Sequence, residues 1–136
     1  DCCSFPHGLF GGKRMRLEAW RNATDQANVA TENMLGAAKA YIAVPWFWSD
    51  QYDLSLQIAG SPVDGVEIVR RQLSDQAFVM FHRDGAGRLV AASGIGPGNS
   101  IARDVKLAEM LIAKKASPAA EALADPTVQL KALLKG

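Results

Sequence analysis

Near residue 44 the chain changes its hydrophobic period, and that change limits it to a helix followed by a half-buried antiparallel sheet. Upstream, Ala23, Ala27, Ala30 and Met34 recur at helical spacing as a narrow stripe of small residues. Asn22 is the expected N-cap, with Asp25 three residues on, and Gly36 the expected stop. A linker from Ala37 to Val44 follows. Downstream, Tyr52, Leu54, Leu56 and Ile58 alternate with polar residues and predict a first strand. Gly60-Ser61-Pro62 and Asp64-Gly65 turn the chain. Further strands are expected over Val66 to Arg71, Phe78 to His82 and Arg88 to Ala92. Asp84-Gly85-Ala86-Gly87 joins the last two as a hairpin loop. Short connections predict an antiparallel meander.

After the strands comes Gly94-Ile95-Gly96-Pro97-Gly98, read as a strand-to-helix turn. It has Gly-x-Gly-x-Gly spacing instead of Gly-x-Gly-x-x-Gly, Pro97 removes a backbone donor, and no acidic ribose partner follows, so it is a poor dinucleotide loop. A helix over about Ser100 to Lys115 should bury Ile101, Val105, Ala108, Leu111 and Ile112. Ser117-Pro118 and Asp125-Pro126 each read as a cap followed by Pro at the first helical position. Two short helices should therefore close the chain, the last burying Val128, Leu130, Leu133 and Leu134. Residues 1–16 read as loop. The fold class is α+β: an antiparallel β-sheet of four to five strands flanked by helices.

The length of 136 residues suits one domain with a real core, and 49% hydrophobic with 21% charged residues describes a globular chain. No apolar run approaches the ~20 residues of a membrane helix, and no leader pattern stands at the start. The opening Asp1-Cys2-Cys3 lacks an initiator Met, which is the expectation for a segment of something longer or a processed product. A net charge of +1 demands neither nucleic acid nor an anionic membrane, and neither is expected as a partner. Cys2 and Cys3 are the only cysteines; neighbours cannot staple distant parts of a fold, so a reduced, cytoplasmic setting is expected.

Few residues carry chemistry. His7 and His82 have no partners at metal-ligand spacing, and His82 should be partly packed. Arg70 and Arg71 must point to opposite strand faces, so one should reach solvent at a solvated edge or meet a partner. Lys13, Arg14, Arg16 and Arg21, opposed only by Glu18, form a surface loop or steer an acidic protein. Two of the three tryptophans sit in Pro45-Trp46-Phe47-Trp48-Ser49-Asp50-Gln51-Tyr52. Aromatics that dense, closed by polar residues, suit a flat π-system at a surface better than a core.

Three segments carry a family resemblance. They are Arg16-Leu17-Glu18-Ala19-Trp20-Arg21-Asn22-Ala23 with Gln26, the Pro45–Tyr52 run, and Leu123-Ala124-Asp125-Pro126 with Leu130-Lys131-Ala132-Leu133-Leu134. In order and spacing they resemble the C-terminal end of FAD-dependent NAD(P)H ferredoxin reductases, the family of putidaredoxin reductase, rhodocoxin reductase and the reductases of aromatic-ring dioxygenases. The resemblance implies that residues 1–36 are the C-terminal tail of an FAD-binding domain, ending in its terminal helix. Residues 41–136 would be the reductase C-terminal interface domain, with the NAD(P) domain upstream. It implies that Asp1 belongs to the Gly-Asp motif holding the FAD ribityl chain and that Trp20 touches the flavin. The amide-rich helix tip at Asn22 and Ala23 would face the flavin pyrimidine edge. Trp48, with Trp46, would lie beside the isoalloxazine and toward the partner.

The implied activity is hydride transfer from NAD(P)H to FAD, then single-electron transfer to a small acidic ferredoxin serving a P450 or an oxygenase. This segment alone would not be catalytic. Gly94–Gly98, Cys3 and Gly11-Gly12 depart from the family pattern and bear on the ferredoxin contact surface. The alternative is a non-catalytic α+β module that binds a protein or forms a homodimer.

Overall fold

The computed structural model describes residues 2–135, and its backbone separates into two compact units, Asp1–Phe47 and Trp48–Gly136. The first unit opens on a two-stranded antiparallel hairpin, β1 (Phe5–His7) and β2 (Lys13–Met15), where a loop was expected. Strands of three residues are too short to show a period. What makes this hairpin is His7, which is fully buried. Its Nδ1 accepts from the Leu9 amide at 3.3 Å, its Nε2 lies 2.9 Å from the Ala43 carbonyl, and the Gly12 amide returns to the His7 carbonyl at 3.0 Å. The rings of Phe5, Phe10 and Tyr41 stand 5.0–6.0 Å from the imidazole.

Helix α1 runs Trp20–Met34, starting before the expected Asn22 cap. The N-cap is Ala19, with no side-chain cap bond. Asn22 lies inside the first turn because its side chain is drawn to tertiary partners: it donates to the Leu17 carbonyl and accepts from Tyr41 and Gln26. The small-residue stripe is not the covered face either. Ala27, Ala30 and Met34 are exposed, while Asn22 is buried and Asp25, Gln26 and Val29 are half-buried. The helix is held on a polar ridge, which a purely apolar periodicity cannot register. Its C-terminus follows expectation: Gly36 at φ +96° donates to Asn33 and Ala37 donates to Glu32, the Schellman arrangement. No regular structure follows until β3, as the linker reading required.

The sheet has five strands, β3 (Trp46–Gln51), β4 (Leu54–Gly60), β5 (Glu67–Ser74), β6 (Ala77–Arg83) and β7 (Leu89–Pro97), in the order β3-β4-β7-β6-β5. It is not the expected meander. Strands β5, β6 and β7 do follow one another, but β4 pairs with β7, from Leu54↔Pro97 to Gly60↔Ala91. The chain leaves β4 through a 3₁₀ turn at Pro62–Asp64 and reaches the far edge of the sheet. Gly60 makes that exit possible, at φ +84° and tight against the β7 backbone.

Strand β7 runs on through the glycine run that was expected to be a turn. Gly94 and Gly96 sit in its register opposite Gln57 and Ser55, Gly94 leaving room for helix α2 (Ala102–Ala113) and Gly96 for Ala77 and Ser100. A Cβ on Gly94 would fall 2.9 Å from Val105 Cγ2 and 3.1 Å from Ile101 Cδ1. The same closeness inverts the expected face of β4. Ser55, Ala59 and Gly60 are buried, whereas Leu54 is exposed and Leu56 and Ile58 are half-buried. Tyr52 is no strand residue: it sits in the β3–β4 turn at φ +56°, fully exposed.

Helix α2 buries Val105, Ala108, Leu111 and Ile112 against the sheet, with Ile101 just before it, as its periodicity required. The Asp84–Gly87 loop also forms as expected, Asp84 Oδ1 accepting from the Ala86 and Arg88 amides. Two short helical segments close the chain as expected, but the second is 3₁₀ and starts later than the Asp125-Pro126 signal placed it. Helix α3 is short (Ala120–Ala124), and past Asp125 there is only 3₁₀ structure over Leu130–Lys135, in which Leu130 is buried and Leu133 and Leu134 are half-buried. The reason is Arg71, the member of the arginine pair that turns inward and is 3% exposed. Its guanidinium takes the carbonyls of Leu123 (3.3 Å), Asp125 (2.6 Å), Pro126 (3.2 Å) and Val128 (2.8 Å). Carbonyls turned toward one point cannot also align along a helix. Arg70, on the opposite face, is exposed and stacks on Phe78 at 4.1 Å.

His82 is buried in β6 with Nε2 3.2 Å from Ser93 Oγ, packed as expected. Burial holds its imidazole below the usual 6.5. His7 is likewise lowered by burial, with its bond to Ala43 opposing. As pH falls, the unfolded chain therefore takes up these protons before the folded one. Stability is full above about pH 6.5 and declines as pH drops toward the folded-state values. Urea titrations between about pH 7.5 and 5.5 should show this decline, shallower in His82→Gln. An identical slope in that variant refutes the assignment to His82.

Candidate functional site

In the first unit the candidate site is the N-terminal tip of α1. Trp20 is its first residue and is 72% exposed. Arg21 lies with its guanidinium carbon 5.4 Å from the centre of the Trp46 ring and its Nε 3.5 Å from Asp25. No acidic residue of the helix itself stands in its first turn, where the helix carries its partial positive charge. The Ala23 amide is spent on the Ala19 carbonyl at 3.0 Å. The helix thus begins at Ala19–Trp20, ahead of the expected Asn22 cap, and the Ala23 amide serves the helix ladder. Asn22 is 3% exposed, so its side chain is internal to the tip. Asp1 lies outside the described residues.

Behind the tip runs a hydrogen-bonded chain that the sequence reading missed. The Tyr41 hydroxyl and Gln26 Nε2 each meet Asn22 Oδ1 at 3.0 Å, and Cys3 Sγ meets Gln26 Oε1 at 2.7 Å. Burial first, then the charge of Asp25, raises the Tyr41 pKa, with Arg21 opposing, so the hydroxyl stays a donor. The signal available in the sequence was the i, i+4 pair Asn22 and Gln26, two amides on one helix face. Of the basic residues near this unit's hairpin, Lys13, Arg14 and Arg16 are exposed, Arg14 bonding the Ser4 carbonyl at 2.6 Å and Arg16 pairing with Glu18 at 3.3 Å.

In the second unit Trp48 projects from β3, 42% exposed, beside a shallow groove it forms with Asp50, Asp53, Ser55, Gln57 and Asn99. Tyr52 stands at the tip of the same hairpin. Trp20, Asn22 and Ala23 are therefore gathered in one helical turn, and Trp48 belongs to the other unit. Among the described residues no helix is long and apolar enough to cross a membrane.

A family model described as reductase C-terminal matches residues 46–134. The chain is 44% identical over 124 residues to the ferredoxin–NAD(+) reductase component of the anthranilate 1,2-dioxygenase system of Burkholderia cepacia, covering 90% of this chain and 30% of that protein. It is 34% identical over 131 residues to the corresponding component of the p-cumate 2,3-dioxygenase system of Pseudomonas putida, covering 96% and 31%. The chain thus spans about three-tenths of the length of these relatives. Its fold matches the covalent putidaredoxin reductase–putidaredoxin complex with a TM-score of 0.87 at 26% identity, covering 99% of this chain and 31% of that one. Antiparallel sheet, covering helices and the Trp46-led aromatic strand all fall within the matched span, and the chain belongs to the reductase C-terminal family.

Proposed function

We propose that this chain is the C-terminal portion of an FAD-dependent NAD(P)H:ferredoxin oxidoreductase. The intact protein takes hydride from NADH or NADPH onto FAD and passes single electrons to a small acidic iron–sulfur protein serving a P450 or an oxygenase. The observation that carries this reading is the 44% identity, over 90% of the chain, to a ferredoxin–NAD(+) reductase component. FAD supplies the conversion of a two-electron donor into one-electron steps. The chain's own residues fit it at the α1 tip, where an exposed indole stands at the positive end of the helix. Trp20 lies against the flavin, and the first turn around Asn22 and Ala23 places positive potential where a reduced flavin gathers negative charge. Asp1 holds the ribityl chain. Trp48, and Trp46 with it, serves the isoalloxazine and the partner face, and exposed Lys13, Arg14 and Arg16 attract an acidic ferredoxin. The segment alone is not catalytic. The adjacent, free, exposed Cys2 and Cys3 support a cytoplasmic setting.

The test uses the intact protein. It should purify yellow, or turn yellow with added FAD, and bleach with NADH or NADPH. Trp20→Ala should raise the Kd for FAD roughly tenfold, the effect of one lost aromatic contact. A protein that stays colourless with excess FAD sinks the reading. Native mass spectrometry showing self-association without flavin would favour the dimerisation module instead, with the exposed Trp48 and Tyr52 as its surface.

A further inference from the structure

We propose that Asn22, held by the Tyr41 hydroxyl and by Gln26, is the positioning residue that sets how the first turn of α1 presents Trp20. The proposal rests on the flavoprotein reading above. Its basis is the polarity of the bonds. The Leu17 carbonyl can only accept, so Asn22 must turn its NH₂ toward it. That leaves Asn22 Oδ1 as an acceptor, filled by Tyr41 and by Gln26 Nε2 at 3.0 Å each. Gln26, having given its nitrogen, presents Oε1 to the Cys3 thiol at 2.7 Å. Every amide orientation follows from the one before, so the chain of bonds has a single assembled form.

The place of this cluster gives it a purpose. The helix starts at Ala19, which has no side chain able to cap. The Leu17 carbonyl accepts from the Ala19 amide at 3.0 Å and also from Asn22. Asn22 therefore fastens the entering strand of chain from inside the first turn, doing from there what a capping Ser or Asp does from outside. Tyr41 ties that fastening to the hairpin, its ring 5.2 Å from Phe5 and 6.0 Å from His7. Trp20 lies between the anchored Leu17 and the anchored Asn22, so the backbone from which its indole projects is held by both bonds. An indole that must meet a rigid ring at one angle needs such a clamp more than a helix needs a cap.

The test is Tyr41→Phe in the intact protein, which removes the hydroxyl and keeps the ring. The Kd for FAD should rise about five- to tenfold, one hydrogen bond's worth, and the visible flavin spectrum and reduction potential should shift. In the apo protein, the amides of residues 20–23 should exchange with solvent faster by a similar factor, while the sheet amides keep their protection. Gln26→Leu should act in the same direction and serves if Tyr41→Phe fails to fold. Unchanged Kd, spectrum and tip exchange in both variants overturn the clamp while leaving the flavoprotein reading intact. Faster exchange with Kd, spectrum and potential unmoved also overturns it, because the bond would then be structural only. A wild-type protein without FAD affinity removes the reading itself, before any variant is compared.

Discussion

Arg71→Met should lower the stability of the sheet unit by about 3–5 kcal/mol, the effect of breaking a buried charged hydrogen-bonding centre. A guanidinium carries five N–H donors. Here its two terminal nitrogens serve the four carbonyls from Leu123 to Val128, and Nε stands 2.9 Å from Asp104 Oδ2. That last contact is a charge pair out of line for a hydrogen bond. Its strength is therefore electrostatic, and it is enhanced because Arg71 is almost wholly out of water. Methionine fills similar space but leaves the carbonyls without donors and Asp104 without its counter-charge. The segment after α3 has no regular hydrogen-bond ladder of its own to fall back on. Arg71→Lys should recover only part of the loss, because three donors radiating from one nitrogen cannot reach four separated carbonyls. Chemical denaturation of each variant measures this. A loss under about 1 kcal/mol in Arg71→Met would mean that water replaces the guanidinium freely, contrary to its burial.

Gly60→Ala should cost roughly 2–6 kcal/mol, enough to threaten folding outright for a domain of ordinary stability. Two independent penalties meet at this residue. Its φ of +84° is one that L side chains rarely adopt, worth about 1–3 kcal/mol. A Cβ there would also lie 2.1 Å from the Val90 carbonyl oxygen and 2.9 Å from Ala91 Cα. Both are backbone atoms of β7, opposite which Gly60 pairs, so neither can rotate away. Relief would require β4 and β7 to separate at the point where the chain departs for the opposite edge, at a further cost of about 1–3 kcal/mol. Gly85→Ala is the control, since a Cβ there meets nothing within 4 Å; it should be close to neutral. The denaturation midpoints of the two variants should differ widely. Similar midpoints would show that the β4 exit accommodates a side chain at this position.

The parts of this molecule that were readable in its residues share a property: their cause is local. Helix α2 forms where Ile101, Val105, Ala108, Leu111 and Ile112 fall on one face. The Asp84 loop closes because one carboxylate accepts two nearby amides. Gly36 ends α1 because the Schellman turn needs its positive φ. The unread parts have distant causes. The order of the strands depends on Gly60 meeting β7, some thirty residues on. The glycines at 94 and 96 read as a turn until Ile101 and Val105 are seen to need the space at the first and Ala77 and Ser100 the space at the second. The candidate site divides the same way. Trp20 and Trp48 stood out by residue type, whereas Tyr41 did not, because its partner Asn22 is nineteen residues away.

What the residues determined by themselves was the class of fold, an α+β chain with an all-antiparallel sheet, and the family, through an aromatic run few other chains would carry. Period and turn chemistry act over a handful of neighbours, so they survive in a one-dimensional string. What tertiary structure alone decided was which strand lies beside which, where helices stop, and which polar side chains go inside. Those outcomes turn on satisfying buried donors and acceptors with whatever group the folded chain brings near, as Arg71 does with four carbonyls and Asn22 with a tyrosine, and proximity of that kind has no signature along the sequence.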